Sequence, residues 1–197
     1  MASVSARSPV AVFLDRDGVL NEPVLDPADG RPESPLRADD VVLADGAAGA
    51  CRLLADAGFL LVVASNQPAA AKGKAGLDDL WAVHERVADL LDAQGVVIDD
   101  WRYCFHHPEA VVAELRGPCD CRKPAPGMLL DAAKAHGIDL PASWMVGDSD
   151  GDVLAGQRAG CRTMLIAHPG SAHRRTGAVR PAALSPNVFA AARMIGA

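Results

Sequence analysis

The fold of this chain can be inferred from residues 10–18, VAVFLDRDG. Five apolar residues are followed directly by Asp15 and Asp17, which flank Arg16, and then by a glycine. A short run without polar residues predicts a strand buried on both faces, which is typical of a parallel sheet. The charged residues then lie at the carboxyl end of that strand, where open α/β sheets bind their ligands.

The same alternation continues along the chain. Further short apolar runs predict strands at residues 59–64, 101–105, 144–146 and 163–167. Helical spacing of apolar residues predicts helices at residues 46–57, 77–93, 127–136 and 153–159. The alternation predicts an α/β fold, a Rossmann-like, doubly wound parallel sheet in three α/β/α layers with right-handed crossovers.

We expect residues 1–197 to form one domain, because no segment between the predicted elements is long enough to fold as a large cap domain. Residues 22–40 are rich in Pro, Asp and Gly and predict a long loop that faces the substrate. Residues 168–186 predict a polar loop before a last short helix.

Composition excludes several classes of protein. Half of the residues are hydrophobic and 22% are charged, which excludes a disordered or coiled-coil chain. The formal net charge of −6 argues against nucleic-acid binding, and no apolar run is long enough to predict a membrane span. Five cysteines, an odd number, without an export signal predict reduced thiols and a cytoplasmic location. Nothing in the composition predicts an oligomeric state.

A second acidic cluster follows another predicted strand. Residues 144–146 lead into Asp148 and Asp152, as residues 10–14 lead into Asp15. We expect the two clusters to converge, because the carboxyl ends of parallel strands meet at one edge of a sheet. Crowded carboxylates need a cation or a shifted pKa, and oxygen ligands are those that Mg²⁺ prefers.

Polar and cationic residues complete this edge. Ser65 and Asn66 follow the second predicted strand, and Arg122 and Lys123 precede the helix at residues 127–136. Carboxylates, hydroxyl donors and cations on separate strand ends are what phosphoryl transfer requires, namely a nucleophile, a metal site and charge clamps.

Residues 104–121 carry four candidate zinc ligands, Cys104, His106, Cys119 and Cys121. Three thiolates and one imidazole form the Cys₃His composition of structural zinc sites. Spacing alone does not choose between His106 and His107. The alternative is three buried thiols beside a surface histidine pair. A closed zinc site would order a loop that ends directly before the predicted Arg122 clamp.

Four motifs resemble those of the haloacid dehalogenase (HAD) superfamily: Asp15-Arg16-Asp17-Gly18, Ser65-Asn66, Lys123-Pro124 and Gly147-Asp148-x-x-x-Asp152. More narrowly, FLDRDGVLN at 13–21, Ser65-Asn66-Gln67 and CRKPAPGM at 121–128 resemble the heptose bisphosphate phosphatase and histidinol phosphate phosphatase branch. The resemblance covers about residues 10–167 and implies a HAD-like fold.

The resemblance also implies a role for each matching residue. Asp15 is the expected nucleophile that forms an aspartyl-phosphate, and Asp17 the expected general acid and then base. The expected Mg²⁺ ligands are the Asp15 side chain, the Asp17 backbone carbonyl and Asp148. The expected phosphate and substrate contacts are Ser65, Lys123, Asn66 and Arg122. Asp152 is expected to orient Lys123 or a metal-bound water, and His106 is the matching zinc ligand.

The sequence thus predicts a Mg²⁺-dependent phosphatase acting on a small phosphorylated metabolite. D-glycero-D-manno-heptose 1,7-bisphosphate or a related sugar phosphate is the first candidate substrate, and histidinol phosphate is the alternative. A zinc-stabilised binding module without catalysis and a nucleic-acid 3′-phosphatase are alternatives of other classes. The chain departs from the branch at residues 68–73, PAAAKG, where the branch has Ser-Gly-hydrophobic-x-Arg-Gly, and in its longer segment 22–40.

Overall fold

The computed structural model describes residues 8–26 and 30–197. One sheet contains six strands, β1 Ala11–Leu14, β4 Leu60–Asn66, β5 Asp100–Cys104, β6 Trp144–Gly147, β7 Arg162–Ile166 and β8 Ala183–Ser185. A separate antiparallel hairpin contains β2 Val24–Leu25 and β3 Pro32–Glu33. The helices are α1 Ala47–Asp56, α2 Leu77–Asp92, α3 Gly127–His136, α4 Asp150–Ala159 and α5 Val188–Ile195.

The large sheet is parallel throughout, in the order β5-β4-β1-β6-β7-β8. The order reverses next to β1, which lies between β4 and β6. Helices cover both faces of this sheet, so the predicted doubly wound α/β fold in three layers is confirmed.

Strand β1 is buried on both faces because successive side chains of a strand point to opposite sides. Val12 and Leu14 belong to the hydrophobic cluster that includes residues of α1 and α5. Ala11 and Phe13 belong to the opposite cluster, which includes residues of α3. Four fully buried residues in succession therefore explain why the strand has no polar alternation.

The register of β1 brings three strand ends to one level. Leu14 pairs with Val63 of β4 on one side and with Val146 of β6 on the other. The next residue, Asp15, donates its backbone N–H to the carbonyl of Val146 at 2.9 Å. The residues that follow β1, β4 and β6 consequently meet at the carboxyl edge of the sheet.

Helix α4 begins at Asp150, three residues earlier than the predicted start at 153. A capping box accounts for the difference, because Ser149 precedes the helix and Asp152 accepts a hydrogen bond from the Ser149 N–H at 3.0 Å. The apolar spacing used for the prediction begins only at Val153, so it missed this polar first turn.

Residues 168–186 do not form the plain polar loop that the sequence predicts. They contain a 3-10 helix at Pro169–Arg174 and strand β8, which adds to the edge of the sheet. A three-residue edge strand is too short to give a periodic pattern. Segment 22–40 likewise contains the β2–β3 hairpin and a 3-10 helix at Ala38–Asp40.

Among residues 8–26 and 30–197, every helix is too short or too polar to span a membrane.

Helix α4 packs closely on β6 and β7 at Gly156. A Cβ at this position would lie 2.7 Å from Met145 Cβ and 2.7 Å from Thr163 Cγ2, which is too close for either neighbour to remain in place. Gly151, in the same helix, has room, because a Cβ there would meet only Ser149 Oγ, at 3.5 Å.

We therefore expect Gly156→Ala to lower the free energy of unfolding by about 1 to 2 kcal/mol, because overpacking outweighs the gain in helix propensity. Gly151→Ala is the matched control and should leave the stability unchanged or raise it by up to about 1 kcal/mol. Urea denaturation of both variants measures the difference. Equal stabilities would show that α4 is not packed as described.

Candidate active site

Three carboxylates meet at the carboxyl edge of the sheet. Asp15 follows β1, Asp148 follows β6, and Asp152 lies in the first turn of α4. One oxygen of each lies within 4.8 Å of the others, and all three residues are buried. The two acidic clusters of the sequence are thus brought to one point.

The Asp148 carboxylate has the environment of a cation ligand. Neither of its oxygens has a hydrogen-bond partner among the described residues, although both are buried. Burial, together with the charges of Asp15 and Asp152, raises its pKa to about 8. The carboxylate lies against Gly18, whose φ is +81° and where any Cβ would overlap it. Carboxylate oxygens without hydrogen-bond partners in the protein are suitable ligands for a hard divalent cation such as Mg²⁺.

Lys123 connects the other two carboxylates. Its buried Nζ lies 3.0 Å from Asp15 Oδ1 and 2.5 Å from Asp152 Oδ1, and donates to the Ala64 carbonyl at 2.7 Å. Burial raises the pKa of Asp15 to about 6, while the Lys123 charge and a hydrogen bond from Ser65 oppose the shift. Lys123 therefore favours the ionised form of Asp15, which is the form that can attack phosphorus.

Asn66 holds the backbone of Lys123. Its Nδ2 donates to the Lys123 carbonyl at 2.9 Å, and its Oδ1 accepts from the Lys123 N–H at 3.0 Å. Asn66, Ser65 and Arg122 all line the cleft, and their contact with a substrate stays a prediction. The Arg122 Nη1 donates to the carbonyl of His106 at 3.1 Å.

Asp17 lies in a network of donors that the sequence reasoning did not anticipate. Its Oδ1 accepts from Arg16 Nε at 3.1 Å and from Asn21 Nδ2 at 3.0 Å. Its Oδ2 accepts from Gln67 Nε2 and from Ser34 Oγ, both at 2.7 Å. Burial raises the pKa of Asp17, but Arg16 and these hydrogen bonds hold it below its usual range overall.

Only part of this network could have been inferred from the sequence. Arg16 is fully buried, and its position between two acidic residues could have suggested an internal ion pair. Gln67 directly follows Ser65-Asn66 and could have been assigned with them. Ser34 is distant in sequence and reaches Asp17 only because the β2–β3 hairpin folds over the strand ends.

The candidate zinc ligands also come together. Cys121 Sγ lies 3.0 Å from Cys104 Sγ and 3.4 Å from His106 Nδ1, and Cys119 Sγ lies 3.7 Å from Cys104 Sγ. A tetrahedral site with Zn–S bonds of about 2.3 Å separates sulfur atoms by about 3.8 Å, so this cluster has nearly the required size. His107 Nδ1 instead accepts the backbone N–H of Glu109 at 3.1 Å. The geometry therefore favours His106 over His107.

Asp15, Asp17 and Asp152 line a cleft with a volume of about 360 Å³. A larger cavity of about 640 Å³ adjoins it. Both are lined by Glu33 and Ser34 on one side and by Pro68 and Lys72 on the other. The hairpin thus forms a wall that is shared by the two cavities.

Ion pairs attach the hairpin to the segment that follows β4. Lys74 Nζ lies 2.8 Å from Asp26 Oδ2 and 3.6 Å from Glu33 Oε1. Lys74 is more than one third exposed, so each pair contributes little to the stability. Their geometric effect is to keep the hairpin, and with it Ser34, beside the cleft.

The chain is similar to known hydrolases in sequence and in fold. Residues 120–191 match the model of the HAD-hydrolase-like family. A D-glycero-beta-D-manno-heptose-1,7-bisphosphate 7-phosphatase of Rhodopseudomonas palustris is 41% identical over 160 residues, which cover 81% of this chain and 84% of the relative. A D-glycero-D-manno-heptose-1,7-bisphosphate 7-phosphatase of Thermosynechococcus vestitus is 42% identical over 160 residues, which cover 79% and 78%.

A solved structure has the same fold. It is a D,D-heptose 1,7-bisphosphate phosphatase from B. bronchiseptica in complex with magnesium and phosphate, with a TM-score of 0.80 and 29% identity. The match covers 94% of this chain and 97% of that one. With relatives above 40% identity across most of their length, this chain belongs to the HAD superfamily of hydrolases and, within it, to the family of phosphatases that contains these relatives.

Proposed function

We propose that this chain is a magnesium-dependent phosphatase that hydrolyses a sugar phosphate through an aspartyl-phosphate on Asp15. The observation that carries the proposal is the buried Asp15 carboxylate, held by Lys123 at 3.0 Å beside the unpartnered carboxylate of Asp148. The nucleophile and the clamp cation thus line one cleft, and the candidate metal ligand Asp148 lies directly beside the nucleophile. Because relatives that are 41% and 42% identical are named heptose 1,7-bisphosphate 7-phosphatases, heptose 1,7-bisphosphate is the first candidate substrate.

In the first step, an oxygen of Asp15 attacks phosphorus and the bond from phosphorus to the leaving oxygen breaks. Lys123 and Ser65 hold phosphoryl oxygens, which disperses the charge that develops there. Asp17 gives its proton to the leaving alkoxide. The incoming phosphate dianion supplies the necessary rise in the pKa of Asp17, because like charges disfavour the ionised form.

In the second step, a water molecule attacks the phosphorus of the aspartyl-phosphate. Asp17, now a carboxylate, accepts the proton of this water, and the bond from phosphorus to Asp15 breaks. The donors around Asp17, including Arg16 and Gln67, stabilise its ionised form and so assist the release of its proton in the first step, and they hold the carboxylate in place for the second. Inorganic phosphate leaves, and Asp17 again carries the proton needed for the next turnover.

The residues that would hold Mg²⁺ are the side chains of Asp15 and Asp148 and the backbone carbonyl of Asp17. When bound, the ion neutralises phosphate charge and relieves the repulsion among the buried carboxylates. Asp152 is positioned to orient Lys123 instead, since its Oδ1 contacts Lys123 Nζ at 2.5 Å.

We further propose that Cys104, His106, Cys119 and Cys121 hold a structural zinc ion. The support is the compact cluster of four ligand atoms within 4.8 Å of one another. Burial raises the pKa of the Cys104 thiol, and metal binding removes its proton. Reduced cysteines agree with the predicted cytoplasmic location, which stays a prediction.

Asp15→Asn tests the chemistry. It preserves the shape of the side chain but removes the nucleophile, so phosphate release should fall by at least about a thousandfold. The measurement is phosphate release with Mg²⁺ from heptose 1,7-bisphosphate, other sugar phosphates, histidinol phosphate and a 3′-phosphorylated oligonucleotide. Asp131→Asn, on the exposed face of α3, is the control and should retain activity.

Full activity of Asp15→Asn would refute the mechanism. Preference of the wild-type protein for histidinol phosphate would replace the proposed substrate. If the folded wild-type protein released phosphate from none of these compounds, a zinc-stabilised binding module would be favoured.

The proposed zinc site gives a further prediction. Purified protein should contain about one zinc per chain, and Cys119→Ser and His106→Ala should each lose it. His107→Ala and Cys161→Ala are controls that should keep the metal. Loss of zinc should also lower activity, because the cluster ends one residue before Arg122. Elemental analysis checks the metal content, and retention of zinc by His106→Ala together with its loss in His107→Ala would reverse the ligand assignment.

Ser34 provides a third prediction, because its hydroxyl donates to Asp17 Oδ2 at 2.7 Å. Ser34→Ala should lower kcat about tenfold, equivalent to about 1.4 kcal/mol, near the lower end for a hydrogen bond to a charged group. Ser34→Thr keeps the hydroxyl and should retain most of the activity. Steady-state kinetics on the preferred substrate measures both, and an unchanged kcat in Ser34→Ala would contradict a role for this contact.

A further inference from the structure

A tyrosine on an edge strand contacts the buried Arg16. Tyr103, the only tyrosine of the chain, lies in β5 and pairs with Ser65 in the register between β5 and β4. Arg16 is fully buried, and its guanidinium carbon lies 5.8 Å from the centre of the Tyr103 ring. The two side chains also form a hydrogen bond, in which the guanidinium donates to the Tyr103 hydroxyl. Neither chemical step at Asp15 uses Tyr103, so this contact is a separate feature of the site.

Arg16 connects this tyrosine to the general acid. The Arg16 Nη2 lies 3.0 Å from Asp17 Oδ1, and its Nε lies 3.1 Å from the same oxygen. The same Nη2 donates to Gln67 Oε1 at 2.9 Å, and Gln67 in turn donates to Asp17 Oδ2 at 2.7 Å. Because the guanidinium is planar and rigid, any rotation of Arg16 would displace all of its donors around Asp17 together. The orientation of Asp17 therefore depends on whatever fixes Arg16.

His84 of α2 holds the Tyr103 hydroxyl from the other side. His84 Nδ1 lies 3.0 Å from Tyr103 Oη. An arginine donates hydrogen bonds and accepts none, so the tyrosine oxygen accepts from Arg16 and its own proton is left to donate to His84 Nδ1. This order requires a neutral His84, and burial together with the charge of Arg16 lowers the pKa of His84, which favours that form. A chain of hydrogen bonds thus runs from α2 through Tyr103 and Arg16 to Asp17.

Aromatic rings restrict the movement of Tyr103. The ring centres of Trp81 and Phe105 each lie 6.0 Å from that of Tyr103. The centres of Trp101 and His84 lie at 6.3 Å and 5.5 Å. All four distances are in the range in which aromatic rings attract one another. Tyr103 is consequently held in place although its strand lies at the edge of the sheet.

We propose that Tyr103 is a positioning residue for the general acid, because it holds Arg16 and, through Arg16, directs the carboxyl group of Asp17 toward the leaving oxygen. This inference rests on the proposed phosphatase function, in which Asp17 gives its proton to the leaving alkoxide. His84 supports Tyr103 by orienting its hydroxyl. A general acid must stay within hydrogen-bond reach of the atom that it protonates, so a small displacement of Asp17 lowers the rate of proton transfer.

The test compares leaving groups that need a proton with leaving groups that do not. Heptose 1,7-bisphosphate and histidinol phosphate release a strongly basic alkoxide, whereas p-nitrophenyl phosphate and acetyl phosphate release weakly basic anions. The value of kcat/KM reports the first step, in which Asp17 acts as an acid. Tyr103→Phe keeps the ring and removes the hydroxyl. It should lower kcat/KM about tenfold for the better of the two alkyl phosphates, and less than about twofold for the two activated phosphates.

Variants of His84 and a matched control extend the test. His84→Phe keeps a ring but removes the acceptor, so it should show the same pattern as Tyr103→Phe with a smaller loss. His84→Asn keeps an acceptor near the Tyr103 hydroxyl and should retain most of the activity. Ser185→Ala is the control, because Ser185 has a buried hydroxyl that donates to the Asn187 carbonyl at 2.8 Å, in the strand at the opposite edge of the sheet. Its loss should leave the ratio between the substrates unchanged.

Equal losses on all substrates, or no loss on the alkyl phosphate, in a folded Tyr103→Phe protein would overturn the positioning role while leaving the phosphatase function intact. If the wild-type protein hydrolyses an alkyl phosphate but neither activated phosphate, the kinetic constants of Tyr103→Phe for the alkyl phosphate decide. A lower kcat at an unchanged KM then supports the role, and a higher KM at an unchanged kcat overturns it. A wild-type protein that releases phosphate from none of the compounds would overturn the proposed function, and the positioning role with it. Thermal unfolding of each variant confirms that folded proteins are compared.

Discussion

The ammonium of Lys123 lies between the carboxylates of Asp15 and Asp152, and the arrangement of the site depends on this contact. Without that positive charge, three buried carboxylates within 4.8 Å of one another would take up protons, and Asp15 would lose its nucleophilic form. The rest of the site keeps Lys123 in place. Asn66 forms hydrogen bonds with both the backbone N–H and the carbonyl of Lys123. The cysteine cluster ends two residues before Lys123.

The sequence was sufficient to predict the fold, because the apolar runs are short, uninterrupted and followed by charged residues. In β1 all four residues are fully buried, so composition alone identifies a central strand. The convergence of Asp15 and Asp148 followed from the same reasoning, since parallel neighbouring strands end on one side. The clustering of Cys104, Cys119 and Cys121 could be predicted because these residues are close in sequence.

Contacts between distant segments could not be predicted in this way. Ser34 reaches Asp17 through a hairpin whose strands have two residues each, too short for any periodicity. Strand β8 has three residues and the 3-10 helix before it has six, which is also too short for a periodic pattern, so the sequence did not predict that His173 and Arg174 line the cleft. The family resemblance implies a substrate contact for Asn66, whereas only the folded structure shows its two hydrogen bonds to Lys123.

The attachment of the β2–β3 hairpin has a consequence for how this protein can change during evolution. Among the described residues, none from 22 to 36 is a buried member of the hydrophobic clusters, and the hairpin is attached by the exposed pairs of Lys74 and by Ser34. Substitutions, insertions and deletions in the hairpin can therefore reshape the wall of the cleft without removing apolar contacts from the core. The residues that select a substrate are largely separate from those that stabilise the sheet, so new specificities can arise in a chain that still folds.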